Sequence, residues 1–365
     1  MFKFMCMFKS ATPMNHGINS QRPRALARVL SGAAAMLSLS MALYAEPALP
    51  ALSPADGLGV NIHFTYPKPG EMEMIAGAGF KWVRMDLAWV ATEKEKGKYD
   101  FSAYDHLLAE LDKQKMHAVL ILDYGNPLYA NPGDTHPFTS RAGTEEFRAA
   151  FASWAAAAAS HFAGRGCIWE MWNEPNGGFW MPKANVDEYI ALAKATAAVV
   201  HKASPGEPMI GPATSGIDFK FIEACCAAGL LDDWSAISVH SYRQSEPGTA
   251  GADYRRLREL IAQYAPEGKR VPIISGEWGY STAWKGFDDT KQAQYLTEEL
   301  STNIANGIPL SIWYDWRDDG DNPNDPEHRF GLVRREYHAG REPVYDAKPA
   351  YEAMKAFAAS LKHPE

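Results

Sequence analysis

From Leu58 onward the chain alternates short apolar runs with longer amphipathic ones, and that alternation leaves few folds open. The short runs are Leu58–His63, Trp82–Asp86, Ala118–Asp123, Ile168–Asn173, Met209–Pro212, Ala236–Ser241, Pro272–Glu277 and Leu310–Tyr314. Each is too short for a helix and apolar over most of its length, as expected of strands covered on both faces. The stretches between them, Glu71–Ala78, Tyr104–Lys115, Thr144–Ala163, Val186–Ser204, Phe219–Ala228, Asp253–Ala265, Thr290–Asn306 and Pro349–Leu361, carry helical periodicity. A strand followed by a helix, repeated eight times, predicts an α/β architecture closed on itself, a (β/α)8 TIM barrel over residues 55–362. An open doubly wound sheet is the competing arrangement, but it needs a glycine-rich phosphate turn after the first strand, and Val60-Asn61-Ile62-His63 offers none.

The 365 residues, 46% hydrophobic and 22% charged, have a soluble globular composition. Net charge is -8, although residues 1–45 hold five basic side chains (Lys3, Lys9, Arg22, Arg24, Arg28) and no acidic one, so the body is more acidic still. A body of that sign lacks the basic footprint that nucleic acid or an anionic membrane requires. The basic leader, the apolar run Val29–Ala45 and the following Pro/Ala-rich stretch predict a signal peptide over 1–45 and a linker over 46–54. A membrane anchor is the alternative, against which stand the serines and Gly32 in a run short for a bilayer. The expectation is a secreted or periplasmic protein with no stable membrane insertion after processing. The four cysteines form no C-x-x-C pair and no disulfide framework.

Two of the predicted strands end in a glutamate beside tryptophan: Glu174 in Cys167-Ile-Trp-Glu-Met-Trp-Asn-Glu-Pro-Asn176 and Glu277 in Val271-Pro-Ile-Ile-Ser-Gly-Glu-Trp-Gly279. In a barrel, strand ends form the mouth where chemistry collects. Cleaving a glycosidic bond takes two carboxyl groups, one to protonate the leaving oxygen and one to attack or support the anomeric carbon. Tryptophan offers a flat face for sugar C–H groups and an apolar wall expected to raise one carboxyl pKa. The implied partner is a polysaccharide or oligosaccharide, with no cofactor and no metal.

Trp172-Asn173-Glu174-Pro175 and Gly276-Glu277, together with Trp82-Val-Arg-Met-Asp-Leu-Ala-Trp89, Ser238-Val-His-Ser-Tyr242 and Trp313-Tyr-Asp-Trp-Arg-Asp-Asp-Gly320, resemble the clan A glycoside hydrolases, which include cellulases and β-xylosidases. Within the clan the sequence is most similar to family 39 and to relatives that cut biofilm exopolysaccharides. The resemblance implies a retaining enzyme with the acid/base after an Asn at the end of strand four and the nucleophile at the end of strand seven, positions that fall on Glu174 and Glu277.

Other expectations follow from the chemistry. Asn173 suits a hydrogen bond to a sugar 2-hydroxyl, and Arg84 suits a cation beside Glu277, with an ion pair to Asp86 as its rival. His240 and Tyr242 share one strand face, so Tyr242 is a candidate partner of Glu277, while His240 is a site residue or a satisfied core histidine. Trp313 and Trp316 are candidates to floor the site, and Trp89, Tyr124, Trp180 and Trp278 weaker candidates for stacking. The acidic loop Asp318–Glu327 is similar to a calcium loop in composition but lacks its ligand order and holds two prolines, so it reads as a solvated acidic loop, with contact of Asp319, Asp321 and Glu327 to a basic or hydroxyl-rich substrate as the alternative. Two rivals to a retaining enzyme remain: an inverting hydrolase recruiting Asp123 or Asp315, and a carbohydrate-binding barrel without catalysis.

Overall fold

The computed structural model describes residues 48–130 and 142–361; the expected signal peptide lies outside them. Eight strands, β1 (Leu58–Asn61), β2 (Trp82–Ala88), β3 (His117–Asp123), β4 (Ile168–Met171), β5 (Met209–Ser215), β6 (Ala236–His240), β7 (Ile273–Trp278) and β8 (Ser311–Trp313), pair in order and close into a barrel. Closure is made by the parallel pairing of β1 with β8, Leu58 opposite Ser311 and Val60 opposite Trp313. The helices are α1 (Glu71–Gly77), α2 (Ser102–Gln114), α3 (Glu145–His161), α4 (Val186–Ala203), α5 (Phe219–Ala227), α6 (Ala250–Tyr264), α7 (Asp289–Ala305) and α8 (Pro349–Ser360). The fold is the expected (β/α)8 barrel, each element within a few residues of its predicted range.

Local chemistry explains several boundaries. Side chains of Thr144, Asn185 and Asp288 accept backbone N–H groups at the starts of α3, α4 and α7, satisfying donors that a helix leaves open. The alanine-rich α3 buries Ala152, Ala155, Ala158 and Ala159, whose small side chains permit close packing. Elements missing from the sequence reading include a turn of helix at Trp89–Thr92, short 3-10 turns such as Pro127–Tyr129 and Pro326–Arg329, and two small hairpins, Glu93–Glu95 with Lys98–Tyr99 and Val333–Tyr337 with Tyr345–Ala347. They are too short or too polar to give a periodic signal.

Inside the barrel, side chains are layered. The lower layer is apolar and draws on the strand starts: Trp82, Val119, Ile168, Ile210, Ala236, Ile274, Leu310 and Ile312. Leu49 and Leu52 pack against this layer, and the Trp82 indole donates to the Asp56 carbonyl at 3.0 Å. The described part of the expected linker is thus a strap across the floor of the barrel, because two leucines in it find apolar surface to cover. Above the floor the interior turns polar. Strand alternation carries β2 from Trp82 through Arg84 to Asp86, and β6 from Ala236 through Ser238 to His240.

Candidate active site

Arg84 stands at the centre of the upper layer, its side chain 1% exposed. Its Nε donates to Glu170 Oε2 at 2.5 Å, Nη1 to Glu277 Oε2 at 2.5 Å and to Asn61 Oδ1 at 3.1 Å, and Nη2 to Asn173 Oδ1 at 2.8 Å. The expected cation beside Glu277 is in place. The rival pairing is not formed: among the described residues the carboxylates paired with Arg84 are Glu170 and Glu277, not Asp86. Both carboxylates raise the guanidinium pKa enough to outweigh burial, which acts to lower it.

Glu277 owes its position to a break in β7. Val239 pairs with Ser275 but His240 pairs with Glu277, so β7 holds one extra residue at Gly276. Such a bulge turns the next side chain to the other face, here into the mouth. Only glycine fits there, since a Cβ at 276 would lie 2.2 Å from Ser238 Oγ and 2.9 Å from Glu170 Oε1. Tyr242 then donates to Glu277 Oε1 at 2.7 Å. Burial, then the neighbouring Glu277 charge, push the phenol pKa well up, so it stays a donor.

Glu174 sits one turn beyond β4 on a strained segment. Trp172 and Glu174 adopt φ of 64° and 47°, a left-handed conformation that costs a non-glycine residue about 1–3 kcal/mol. Backbone bonds from Trp172 N–H to the Leu122 carbonyl (3.2 Å) and from Glu174 N–H to the Ala213 carbonyl (3.0 Å) hold it. His240 resolves into one tautomer. Its Nε2 lies 3.3 Å from Arg84 Nη2, a donor, so Nε2 accepts and Nδ1 carries the hydrogen directed at Glu174 Oε1, 3.0 Å away. Burial acts to raise the Glu174 pKa, but the hydrogen bond from His240, with that from Ser215 and the charge of Arg84, prevails and lowers it. The expectation that a tryptophan wall raises this carboxyl is corrected: Trp172 and Trp278 are wholly buried and line no part of the mouth.

These groups open onto a cavity of about 440 Å3. Arg84, Asn173, Glu174, Tyr242 and Glu277 line it, whereas His240 is fully buried behind Glu174. Trp313 and Trp316 are corrected as floor residues. Trp313 is 0% and Trp316 1% exposed; Trp316 packs against Tyr345 and Tyr351 and donates to Glu71 Oε1 at 3.0 Å. Their neighbour Tyr314 faces the cavity instead. Trp89, Trp180 and Trp278 are likewise core residues, while Tyr124 lines the cavity and receives a hydrogen bond from Asn173 Nδ2 at 2.9 Å.

Sequence reasoning missed Asn61, His63, Asp86, Phe179, Trp284, Tyr314 and Phe330, all of which line the cavity. Trp284 and Phe330 lie in loops without periodicity. His63 and Asn61 had a usable signal, polar residues closing an apolar strand. Glu170 was also missed, although an acid inside the run Ile168-Trp-Glu-Met171 is costly unless paired.

The remaining carboxylates divide. Asp123 is fully buried, its pKa pushed well up by burial and by Asp86 beside it, and it does not line the cavity. Asp315, 1% exposed, is pushed up to about 7 by burial. His63, at 3.5 Å from Asp315, reaches about 9 because the carboxylates around it overcome burial. In the acidic loop, Asp318 is taken up by Arg329, Arg334 and Lys348, and Glu327 lines the cavity. Two groups of three could hold a metal among the described residues, Glu174 with His240 and Glu277, and His63 with Asp315 and Asp319.

An eight-stranded parallel barrel with two carboxyls facing across an aromatic-walled mouth has the architecture of the glycoside hydrolase class. Residues 58–319 match the model of Cellulase (glycosyl hydrolase family 5), and the chain belongs to that family. Among solved structures, a family 39 glycoside hydrolase from the gut symbiont Bacteroides cellulosilyticus WH2 is similar, with a TM-score of 0.72 and 26% identity over 86% of this chain and 66% of that one. The chain therefore spans just under two thirds of that relative's length. A monomeric beta-xylosidase from Caulobacter crescentus CB15 (TM-score 0.65, 21% identity, 86% and 69% covered) and GH5_18 from Streptomyces cattleya in complex with GlcNAc (0.66, 16%, 87% and 82%) share the fold. These relatives agree with the clan read from the sequence. No curated protein matches the chain.

Proposed function

We propose that this protein is a retaining β-glycosidase acting on a polysaccharide or oligosaccharide, with Glu277 as nucleophile and Glu174 as acid/base. The observation that carries the reading is the spacing of the pair: one oxygen of Glu174 and one of Glu277 lie within 4.8 Å of each other. Retaining enzymes hold their carboxyls about 5–5.5 Å apart and inverting enzymes about 6.5–9.5 Å, because the latter need room for a water. Neither Asp123 nor Asp315, the two groups weighed for an inverting mechanism, lines the cavity, which supports retention.

In the first step Glu277 attacks the anomeric carbon while Glu174 passes a proton to the departing oxygen. In the second, Glu174 as carboxylate takes a proton from water, which displaces Glu277. Arg84 and Tyr242 each hold one oxygen of Glu277, fixing the attacking carboxylate and supporting it as it leaves. Asn173, anchored by Arg84 and Tyr124, lines the cavity, which supports its role as partner of the sugar 2-hydroxyl. The lowered pKa of Glu174 suits its base role in the second step.

The test is stereochemical. Proton NMR during early turnover should show a product of the substrate's own anomeric configuration, and a first product of opposite configuration would overturn the mechanism. Glu277→Ala should be inactive and regain turnover with azide, giving an inverted glycosyl azide. Export is part of the same reading and rests on the basic and apolar leader; mass spectrometry of the envelope fraction should find chains beginning near Glu46, and an intact leader on cytosolic protein would refute it.

A further inference from the structure

We infer that His63, Asp315 and Asp319 form a binding site for a divalent cation of the zinc class at the rim of the cavity. His63 Nε2 lies 3.5 Å from Asp315 Oδ2 and 3.7 Å from Asp319 Oδ2. Both distances exceed the usual 2.7–3.2 Å of an N–H···O hydrogen bond. The first falls within, and the second just beyond, the separation of about 3.3–3.6 Å between donors bound to a tetrahedral zinc at 2.0–2.2 Å. All three donor atoms fall within 4.8 Å of one another.

Two independent observations point to a ligand. Asp315 is 1% exposed, and among the described residues its oxygens have no hydrogen-bond partner at ordinary distance, the contact with His63 at 3.5 Å being an ion pair. A buried carboxylate so placed requires a proton or a cation. The second concerns Asn61, whose Oδ1 is held by Arg84 at 3.1 Å, so that Nδ2 is the atom facing His63 Nε2 at 3.5 Å. With a hydrogen on Nε2, the carboxylates are served but donor meets donor at Asn61; without one, the lone pair meets two carboxylates. A cation bound by that lone pair and both carboxylates removes the second conflict.

One imidazole and two carboxylates favour zinc or manganese over calcium, which wants six or more oxygens. His63 lines the catalytic cavity, and with Asp319 it also lines the adjoining groove, so an ion there is reachable and keeps a position open on the substrate side. Its chemical consequence is a coordination point for a sugar hydroxyl at the edge of the site. The inference concerns binding in the free protein and does not depend on the glycosidase reading.

The full chain, stripped with a chelator, should bind one equivalent of Zn2+ in a calorimetric titration without substrate, and Co2+ should give the visible absorption of a tetrahedral site. Asp319→Asn, on a side chain 34% exposed, tests the site with little effect on folding. That variant and His63→Gln should each weaken Zn2+ binding by more than about 100-fold, since even groups behind a ligand contribute 10–100-fold. Glu174→Gln should bind as the parent does. Absence of saturable binding to the parent chain, undiminished binding by Asp319→Asn and His63→Gln, or loss of binding in Glu174→Gln alone would each overturn the proposal.

Discussion

Replacing Arg84 by methionine keeps most of the side-chain length and removes the charge. The structure sets the expected damage. Glu170 is fully buried, and without Arg84 its remaining side-chain partner is the Ser238 hydroxyl at 2.5 Å. Glu277 retains Tyr242, and Asn173 retains Tyr124. Breaking a buried ion pair from one side costs about 3–5 kcal/mol, because the carboxylate left behind has lost water and gained nothing. At 2–4 °C per kcal/mol this is a fall in Tm of roughly 6–20 °C. The penalty belongs to an ionised carboxylate, so the deficit should shrink as the pH is lowered and a proton replaces the missing cation. Thermal unfolding of both chains, followed by circular dichroism at several pH values, measures it. A variant melting within about 2 °C of the parent at neutral pH would refute the view that Arg84 organises the upper barrel.

Glu174→Gln should slow glycosides with poor leaving groups far more than activated aryl glycosides, and equal losses on both would remove Glu174 as the acid. His240→Ala takes away the hydrogen bond that lowers the Glu174 pKa while leaving burial, which raises it; activity that needs protonated Glu174 should therefore persist to higher pH, seen as an upward move of the alkaline limb of kcat. Exchanging Leu49 and Leu52 for serine should cost about 2–3 kcal/mol of stability, since both are only partly buried, and leave kcat/KM unchanged, as read by unfolding and kinetics in parallel.

The barrel was legible because its signal is repeated eight times: apolar run, amphipathic run, in strict order. The glutamates were legible because an ionisable side chain that ends a buried strand is unusual enough to need a reason. Tryptophan misled, and for a physical reason. Sequence gives its size and apolarity but not its direction, and at β8 the odd step between Trp313 and Tyr314 decides which ring meets solvent and which meets the helices. The aromatic wall that does exist comes partly from loops, where Trp284 meets Phe330 edge to face at 5.3 Å, and loop positions carry no period to read. The role of His240 depended on its partners. Only the position of Arg84 fixes which ring nitrogen bears the hydrogen.

The strap of residues 48–52 bears on how such a protein can be held. It crosses the end of the barrel where the strands begin, and helix α8 also ends on that side, since each helix runs back against its strand. Both described chain ends therefore leave from the face opposite the mouth. An affinity handle, a bead or a fused domain joined before residue 48 or after residue 361 would meet the barrel from behind, leaving the cavity turned outward.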